Sequence, residues 1–224
     1  MSWLDSDSDN VKTNGMEVEN MELMNAINCR RTLRDFSEKE VPFEIIEKAL
    51  NAGLKAPSYN HKKEWEFILI RDKEIRLALT QAEKMTGVIS DKFKKELESY
   101  EALAREMYMH AIPNQKKMLI TAPELLVVVY KPKTQIAESK RVCDLNCLAA
   151  VWCCIENILL SLAEDNVFGT TVIPEFTSEV KKILDIPQEL EVPVMIPFGY
   201  RAPNAKIIPP KEVNLHSILH TDKW

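Results

Sequence analysis

The sequence predicts a single mixed domain of helices and strands. Three observations carry that expectation. The run Leu125-Leu126-Val127-Val128-Val129-Tyr130 is apolar on both faces of an extended chain, the pattern of a central strand. Segment 43–54 repeats apolar residues at helical spacing, with Ile45, Ile46, Ala49, Leu50 and Gly53 on one stripe. Segment 142–163 is apolar nearly all round, as in a core or subunit-interface helix. A chain of 224 residues is long enough to bury one real core.

In chain order, residues 1–21 carry Asp5, Asp7, Asp9, Glu17 and Glu19 among Ser, Asn and Gly, with little periodicity. A mobile acidic extension is expected there, ahead of one domain over 22–224. A short helix over 21–28 feeds a basic cluster, and 37–42 forms a turn. Pro57 ends the helix of 43–54. Phe67-Ile68-Leu69-Ile70 reads as a buried strand, and Asp72 caps a helix over 73–84. The charged, helix-prone insertion 87–118 has a thin apolar stripe, interrupted at Pro113. It fits a cap over a site and an ordinary surface helix equally. A strand is expected over 169–173, a helix over 178–184 capped by Thr177, and a strand over 192–198 despite Pro193 and Pro197. The tail 202–224 holds three prolines and should run over a surface.

A net charge of -5 provides no general attraction to nucleic acid. Lys92, Lys94 and Lys95 are diluted by Glu96 and Glu98 and read as a solvated helix face. Apolar runs such as 125–130 are too short to span a bilayer, so no membrane partner is expected. No basic region leading into an apolar block opens the chain, and a cytoplasmic location is the expectation. The five cysteines, an odd number, lack zinc-like or ferredoxin-like spacing. Four of them lie in the apolar segment near 142–163, which points to core packing in a reducing compartment.

Chemistry concentrates in two runs. Arg30-Arg31-Thr32-Leu33-Arg34 places three guanidinium groups and a hydroxyl within five residues. Each guanidinium can donate two parallel hydrogen bonds, a set that suits a phosphate. The alternative is a solvated basic turn paired with Asp35, Glu38 or Glu40. The second run, Ala56-Pro57-Ser58-Tyr59-Asn60-His61, offers small polar groups on a turn, a wall for a planar and partly polar ligand. Trp65, just beyond, is expected to anchor that turn in the core. Together the runs point to a phosphorylated, ring-bearing cofactor. No G-x-G-x-x-G fingerprint occurs among only five glycines.

Arg30-Arg31-Thr32-x-Arg34-x-Phe36, Ala56-Pro57-Ser58 with Trp65 and Phe67, Gly169-Thr170 and Gly199-Tyr200 follow one another across nearly the whole chain. In that order they resemble the FMN-dependent nitroreductase family. The resemblance implies a three-layer α+β fold with a central, mainly antiparallel sheet flanked by helices. It implies an intertwined homodimer with FMN between the subunits and a tail, 202–224, that crosses to the partner. Arg30, Arg31, Thr32 and Arg34 would then hold the FMN phosphate and ribityl chain. Pro57, Ser58, Tyr59 and His61 would reach the flavin across the dimer. Lys211, with Lys206 as a poorer alternative, would complete the phosphate site. The loop Ile173-Pro174-Glu175 matches the place where a backbone N–H meets flavin N5. Pro174 has no N–H, so the expected donor is the Glu175 amide or a hydroxyl of Thr170 or Thr171. Lys63-Glu64 stands where Gln-Pro is usual.

The implied activity is ping-pong electron transfer from NADH or NADPH, a transient visitor, to a nitroaromatic, a quinone or a similar small acceptor. The flavin carries such chemistry, so no catalytic acid, base or nucleophile and no metal site is expected. Two other readings stay open. His61, where many members carry asparagine, and the paired threonines resemble the iodotyrosine deiodinase branch, a reductive dehalogenase. Residues 83–118 do not display at its spacing the Glu, Tyr and Lys constellation with which that branch holds an amino-acid zwitterion. The departures at Pro174 and Lys63-Glu64 keep open a flavin-binding or sensing module with little turnover.

Overall fold

Alternation of side chains along two strands divides the molecule into two hydrophobic layers. The computed structural model describes residues 23–224, so the acidic extension lies outside the described residues. Strands β1 (Trp65–Ile70), β2 (Glu124–Tyr130), β3 (Val167–Gly169) and β4 (Glu191–Tyr200) form an antiparallel sheet of order β1-β2-β4-β3. All residues of β2 are buried, as its unbroken apolar run requires of a strand covered on both faces.

Leu126, Val128 and Tyr130 face one layer with Val194, Ile196 and Phe198, against helices α2 (Phe43–Gly53) and α6 (Asn146–Glu164). Leu125, Val127 and Val129 face the other layer, with α3 (Lys73–Ala82), α5 (Ala102–Thr121) and α7 (Thr177–Ile183). The outcome is the expected three-layer α+β arrangement. Full burial of each large apolar side chain contributes about 1.5–3 kcal/mol. Trp65 lies in the first layer, as predicted.

The prolines of β4 have separate accommodations. Glu191 opposes Tyr130 and Val194 opposes Val128, so β4 carries one extra residue between them. Pro193 falls in this bulge, where a missing ladder donor costs least. The bulge also reverses the alternation, and Val192 faces the layer opposite to Val194. Pro197 keeps its carbonyl in use, accepting the Thr170 N–H at 3.2 Å.

Several expectations are corrected. The strand expected over 169–173 runs instead over Val167–Gly169, with a lone bridge from Val172 to Met195. Pro113 does not interrupt a helix: α5 continues through it. Pro113 and Met109, whose carbonyl loses its donor, are both exposed, so water can serve that carbonyl. Of the five cysteines only Cys154 is buried; Cys147 is half-buried and the others are exposed. Val142–Glu164 has the length and mean hydropathy, 1.7, of a membrane span, with one third buried. Its buried face packs on α2 and the sheet.

The insertion is a packed unit. Helix α4 (Asp91–Leu97) is capped by the Ser90 hydroxyl, which accepts the Phe93 N–H. Phe93, Tyr100 and Tyr108 meet edge to face with centroids 5.6–6.5 Å apart, joining α4 to α5. Lys92, Lys94 and Lys95 lie on an exposed face, as expected.

Helices α2 and α6 touch at Gly53. A Cβ there would lie 2.7 Å from Ile158 Cγ1 and 2.9 Å from Cys154 Sγ. Alanine normally gains over glycine in a helix, but here the clash reverses the sign. Gly53→Ala is expected to lower stability by about 1–3 kcal/mol, read as the urea midpoint. An unchanged or raised midpoint would contradict this packing.

Candidate functional site

Helix α1 (Leu23–Cys29) ends directly at the arginine run. Leu33 is the run's anchor: it is buried, and its N–H donates to the Gly169 carbonyl at 3.2 Å. The Ser37 N–H donates to the Tyr200 carbonyl at 2.9 Å, and Phe36 bridges Arg201. The run is thus laid along the ends of β3 and β4. Arg30, Arg31, Thr32, Arg34 and Lys211 line one cleft of about 370 Å³. Its other wall is the start of α5, including Glu101, Leu103 and Met107. The insertion therefore walls the basic cleft, which favours the cap over the plain surface helix.

Four cations and one carboxylate line this cleft. Lys211 Nζ meets both Glu101 carboxylate oxygens, at 2.8 and 3.1 Å, and holds that carboxyl below its ordinary range. Lys206 pairs with Glu106 at 2.8 Å and does not line the cleft, whereas Lys211 does. Arg30 Nε lies 3.4 Å from Glu156, and Arg31 Nη1 donates to the Arg30 carbonyl at 2.7 Å. Among the described residues no carboxylate lies within ion-pair distance of Arg34, whose pKa is lowered by burial. The alternative, a basic turn paired with Asp35, Glu38 or Glu40, finds no such ion pair among the described residues. Asp35 instead faces His110 Nε2 and Lys117 Nζ, each at 3.9 Å.

His110 has no distinguishing mark in the sequence. Its side chain is only 12% exposed, and Nε2 is buried without a hydrogen-bond partner among the described residues. Nδ1 lies 3.3 Å from Asn114 Nδ2. Burial lowers the His110 pKa; Asp35 and Glu106 oppose the shift, and Arg34 and Lys206 reinforce it.

The second run forms its own site. In the loop 57–63 the Ser58 hydroxyl accepts the Lys63 N–H at 3.1 Å, and the Ser58 carbonyl accepts that of His61 at 3.1 Å. Asn60, His61 and Lys63 all take positive φ, at 52°, 55° and 49°. Asparagine tolerates that region; histidine and lysine are strained there by about 1 kcal/mol or more each. Ser58 and Tyr59 line a crevice of about 10 Å³ with Trp65, Tyr130 and Cys147. Trp65 Nε1 is buried there without a partner among the described residues, and burial pushes the Tyr130 phenol up to about 12. Pro57 and His61 are exposed. This crevice shares no residue with the basic cleft.

Ile173 and Glu175 line a third cavity, of about 210 Å³, with residues 83–87 and α5. The Glu175 N–H donates to Glu83 Oε2 at 2.7 Å and the Phe176 N–H to Oε1 at 3.0 Å. Two expectations are thereby corrected. The Glu175 amide is already occupied, and the start of α7 is capped by a distant glutamate rather than by Thr177. Thr170 and Val172 N–H groups are also used, by Pro197 and Met195. Pro174, buried, has none to offer. Those of Ile173 and Thr171 have no partner among the described residues. In the insertion, Tyr100 Oη donates to Glu96 Oε1 at 3.1 Å, which raises the phenol's pKa. A phenol and a carboxylate are thus brought together where the sequence shows no such set.

A family model described as "Nitroreductase family" matches residues 27–200. An iodotyrosine deiodinase of Haliscomenobacter hydrossis is 26% identical over 183 residues, covering 80% of this chain and 78% of the relative. Among solved structures, oxidized iodotyrosine deiodinase bound to FMN and 3-iodo-L-tyrosine superposes with a TM-score of 0.67 at 23% identity. That match covers 86% of this chain and 97% of the other. An NADPH:FMN oxidoreductase from Vibrio harveyi complexed with NAD+ gives 0.66 at 16% identity, covering 90% and 77%. At these identities the structural likeness establishes the fold.

The buried histidine leads to a pH prediction. Its folded pKa lies below its unfolded value, so between the two the unfolded chain binds more protons. The contribution is complete above about pH 6.5 and is lost as pH falls through the window below. Thermal midpoints from pH 5 to 8 should therefore fall less on acidification in His110→Gln than in the unsubstituted protein. Parallel curves would contradict a buried, proton-averse His110.

Proposed function

The chain belongs to the nitroreductase family, and from that premise we propose that it is an FMN-dependent oxidoreductase that reduces a small organic acceptor. The observation that carries this reading is the basic cleft. A phosphate dianion needs several fixed donors, and the cleft offers three guanidinium groups, a hydroxyl and an ammonium. Among the described residues Glu101 lines the cleft and Glu156 meets Arg30 at 3.4 Å, and both are exposed enough to yield their partners to a stronger anion. The donor set therefore fits the FMN phosphate. When bound, FMN supplies the redox chemistry, accepting electrons from a donor and passing them to an acceptor.

The protein's part is to hold and orient. Arg30, Arg31, Arg34 and Lys211 clamp the phosphate, Thr32 serves the ribityl chain, and the start of α5 excludes water along one side. The Ile173 N–H is the donor assigned to the flavin ring: like that of Thr171 it has no partner among the described residues, those of Val172 and Glu175 are used, Pro174 has none, and Ile173 is 67% exposed. NADH or NADPH is the proposed electron donor, and nitroaromatics and quinones the proposed acceptor class.

A homodimer belongs to this reading, and the separation of the two clefts supports it. One chain keeps the basic cleft apart from Pro57, Ser58, Tyr59 and His61, so a second copy supplies the latter group to a shared flavin. Exposed Leu23, Met24 and Ile27 of α1, with Leu215, Ile218, Leu219 and Trp224 of the tail, are the apolar surface left for that partner.

A second reading, reductive dehalogenation of a halotyrosine, is favoured by two observations. The deiodinase relative matches most of this chain, and Tyr100 and Glu96 pair in the wall of the insertion. Such a pair can receive the ammonium and hydroxyl of an amino acid.

The visible spectrum of the purified protein, followed by anaerobic NADH titration, tests the main reading. Flavin bands that bleach support a nicotinamide-driven reductase. A protein that stays colourless after FMN is added sinks it. A change of flavin absorbance on adding 3-iodotyrosine selects the second reading. The paired substitution Arg30→Ala with Arg34→Ala is expected to weaken FMN binding by about 100-fold or more, at about 1.5–3 kcal/mol for each charged hydrogen-bonding group. Lys206→Ala should leave FMN affinity unchanged. FMN retained in full through gel filtration by the double variant would overturn the phosphate assignment.

A further inference from the structure

The root of the insertion and the Ile173–Glu175 loop are joined by one buried side chain. Glu83 follows α3 and is 8% exposed. Its two carboxylate oxygens accept the N–H groups of Glu175 and Phe176, at 2.7 and 3.0 Å. Hydrogen bonds to an ionised acceptor are roughly twice as strong as neutral ones, and a buried carboxylate left without them would be costly. The next residue grips the same loop from another side. Lys84, at φ 50°, turns back so that Nζ lies 4.1 Å from the centre of the Phe176 ring.

The same residues begin the insertion. Met85 N–H returns to the Thr80 carbonyl at 3.0 Å, which fixes the end of α3. Gly87 takes φ 70°, and a Cβ there would meet the Pro113 carbonyl at 3.4 Å, so the chain enters the insertion hard against α5. The insertion in turn walls the basic cleft.

We propose that Glu83 is a positioning residue for the flavin. By occupying the Glu175 and Phe176 amides it leaves donation to the N–H groups of Ile173 and Thr171, of which exposed Ile173 is the nearer along the chain, and it fixes the loop on the end of α3. This inference rests on the FMN reading above. It assigns to a side chain outside all the sequence motifs the task of setting the loop's geometry toward the ring.

The test uses Glu83→Gln, which keeps size and one carbonyl acceptor, and Glu83→Ala. Ser90→Ala is the control, since it removes the α4 cap without touching the loop. Amide hydrogen exchange is measured on the FMN-free protein. Flavin absorbance, midpoint potential and the KM and kcat for menadione are measured on the FMN-loaded protein. Exchange at Glu175 and Phe176 should be about ten-fold faster in Glu83→Gln and faster still in Glu83→Ala. FMN should remain stoichiometric in Glu83→Gln while its potential shifts, with both unchanged in Ser90→Ala. Unchanged exchange would overturn the clamp. Faster exchange with unaltered potential, absorbance and kinetics would reduce Glu83 to a structural cap and overturn the proposal. Unsubstituted protein that takes up no FMN would instead defeat the FMN reading, and the positioning role with it.

Discussion

A sheet buried on both faces is the constraint on which the rest of this molecule depends. Once β2 and β4 are covered on either side, no edge of the central pair is left to bind anything, and function is displaced to the strand ends and the loops. The arginine run illustrates the consequence. It has no regular structure of its own, yet Leu33 is inserted into the core and bonded to Gly169, while Ser37 is bonded to Tyr200. Its cations are held by a scaffold too well packed to follow them.

The electrostatics of the basic cleft follow from that placement. Guanidinium groups on a free turn would find water and nearby carboxylates. Here Asp35 is drawn to His110 and Lys117, and Arg34 is left partly desolvated among other cations. Such an arrangement is unfavourable for the empty protein and favourable for an anion. Lys211 and Glu101 form the exception, an exposed pair worth little by itself and easily exchanged for a stronger partner.

Strain is found where binding chemistry is expected and is sparse in the sheet. Asn60, His61 and Lys63 hold positive φ within four residues, close to Ser58. Pro174 sits in a loop where Val172 and Glu175 N–H groups are committed and those of Thr171 and Ile173 have no partner among the described residues. The residues that depart from the usual family pattern, Lys63-Glu64 and Pro174, lie in these same two loops. The fold is that of the nitroreductase family, and these departures lie in loops that line two separate cavities.

Much of the architecture was legible in the sequence, because it rests on local periodicity. The unbroken apolar run 125–130, the stripe of α2, the apolar length of α6 and the Asp72 cap each depend on residues a few positions apart. The arginine run was legible for the same reason. What tertiary structure alone decided depends on partners far apart in the chain. Glu83 and Glu175 are 92 residues apart, Lys211 and Glu101 are 110, and neither partner marks the other locally. Thr177 is a good cap by type and loses the position to Glu83; Pro113 is a poor helix residue by type and is carried by a helix packed at both ends. The largely buried His110, whose Nε2 has no hydrogen-bond partner among the described residues, has no periodic signature at all. Backbone propensity and side-chain period act within a turn or two of chain, whereas burial and charge pairing act across whatever surfaces the fold brings together. The first set the elements; the second set the site.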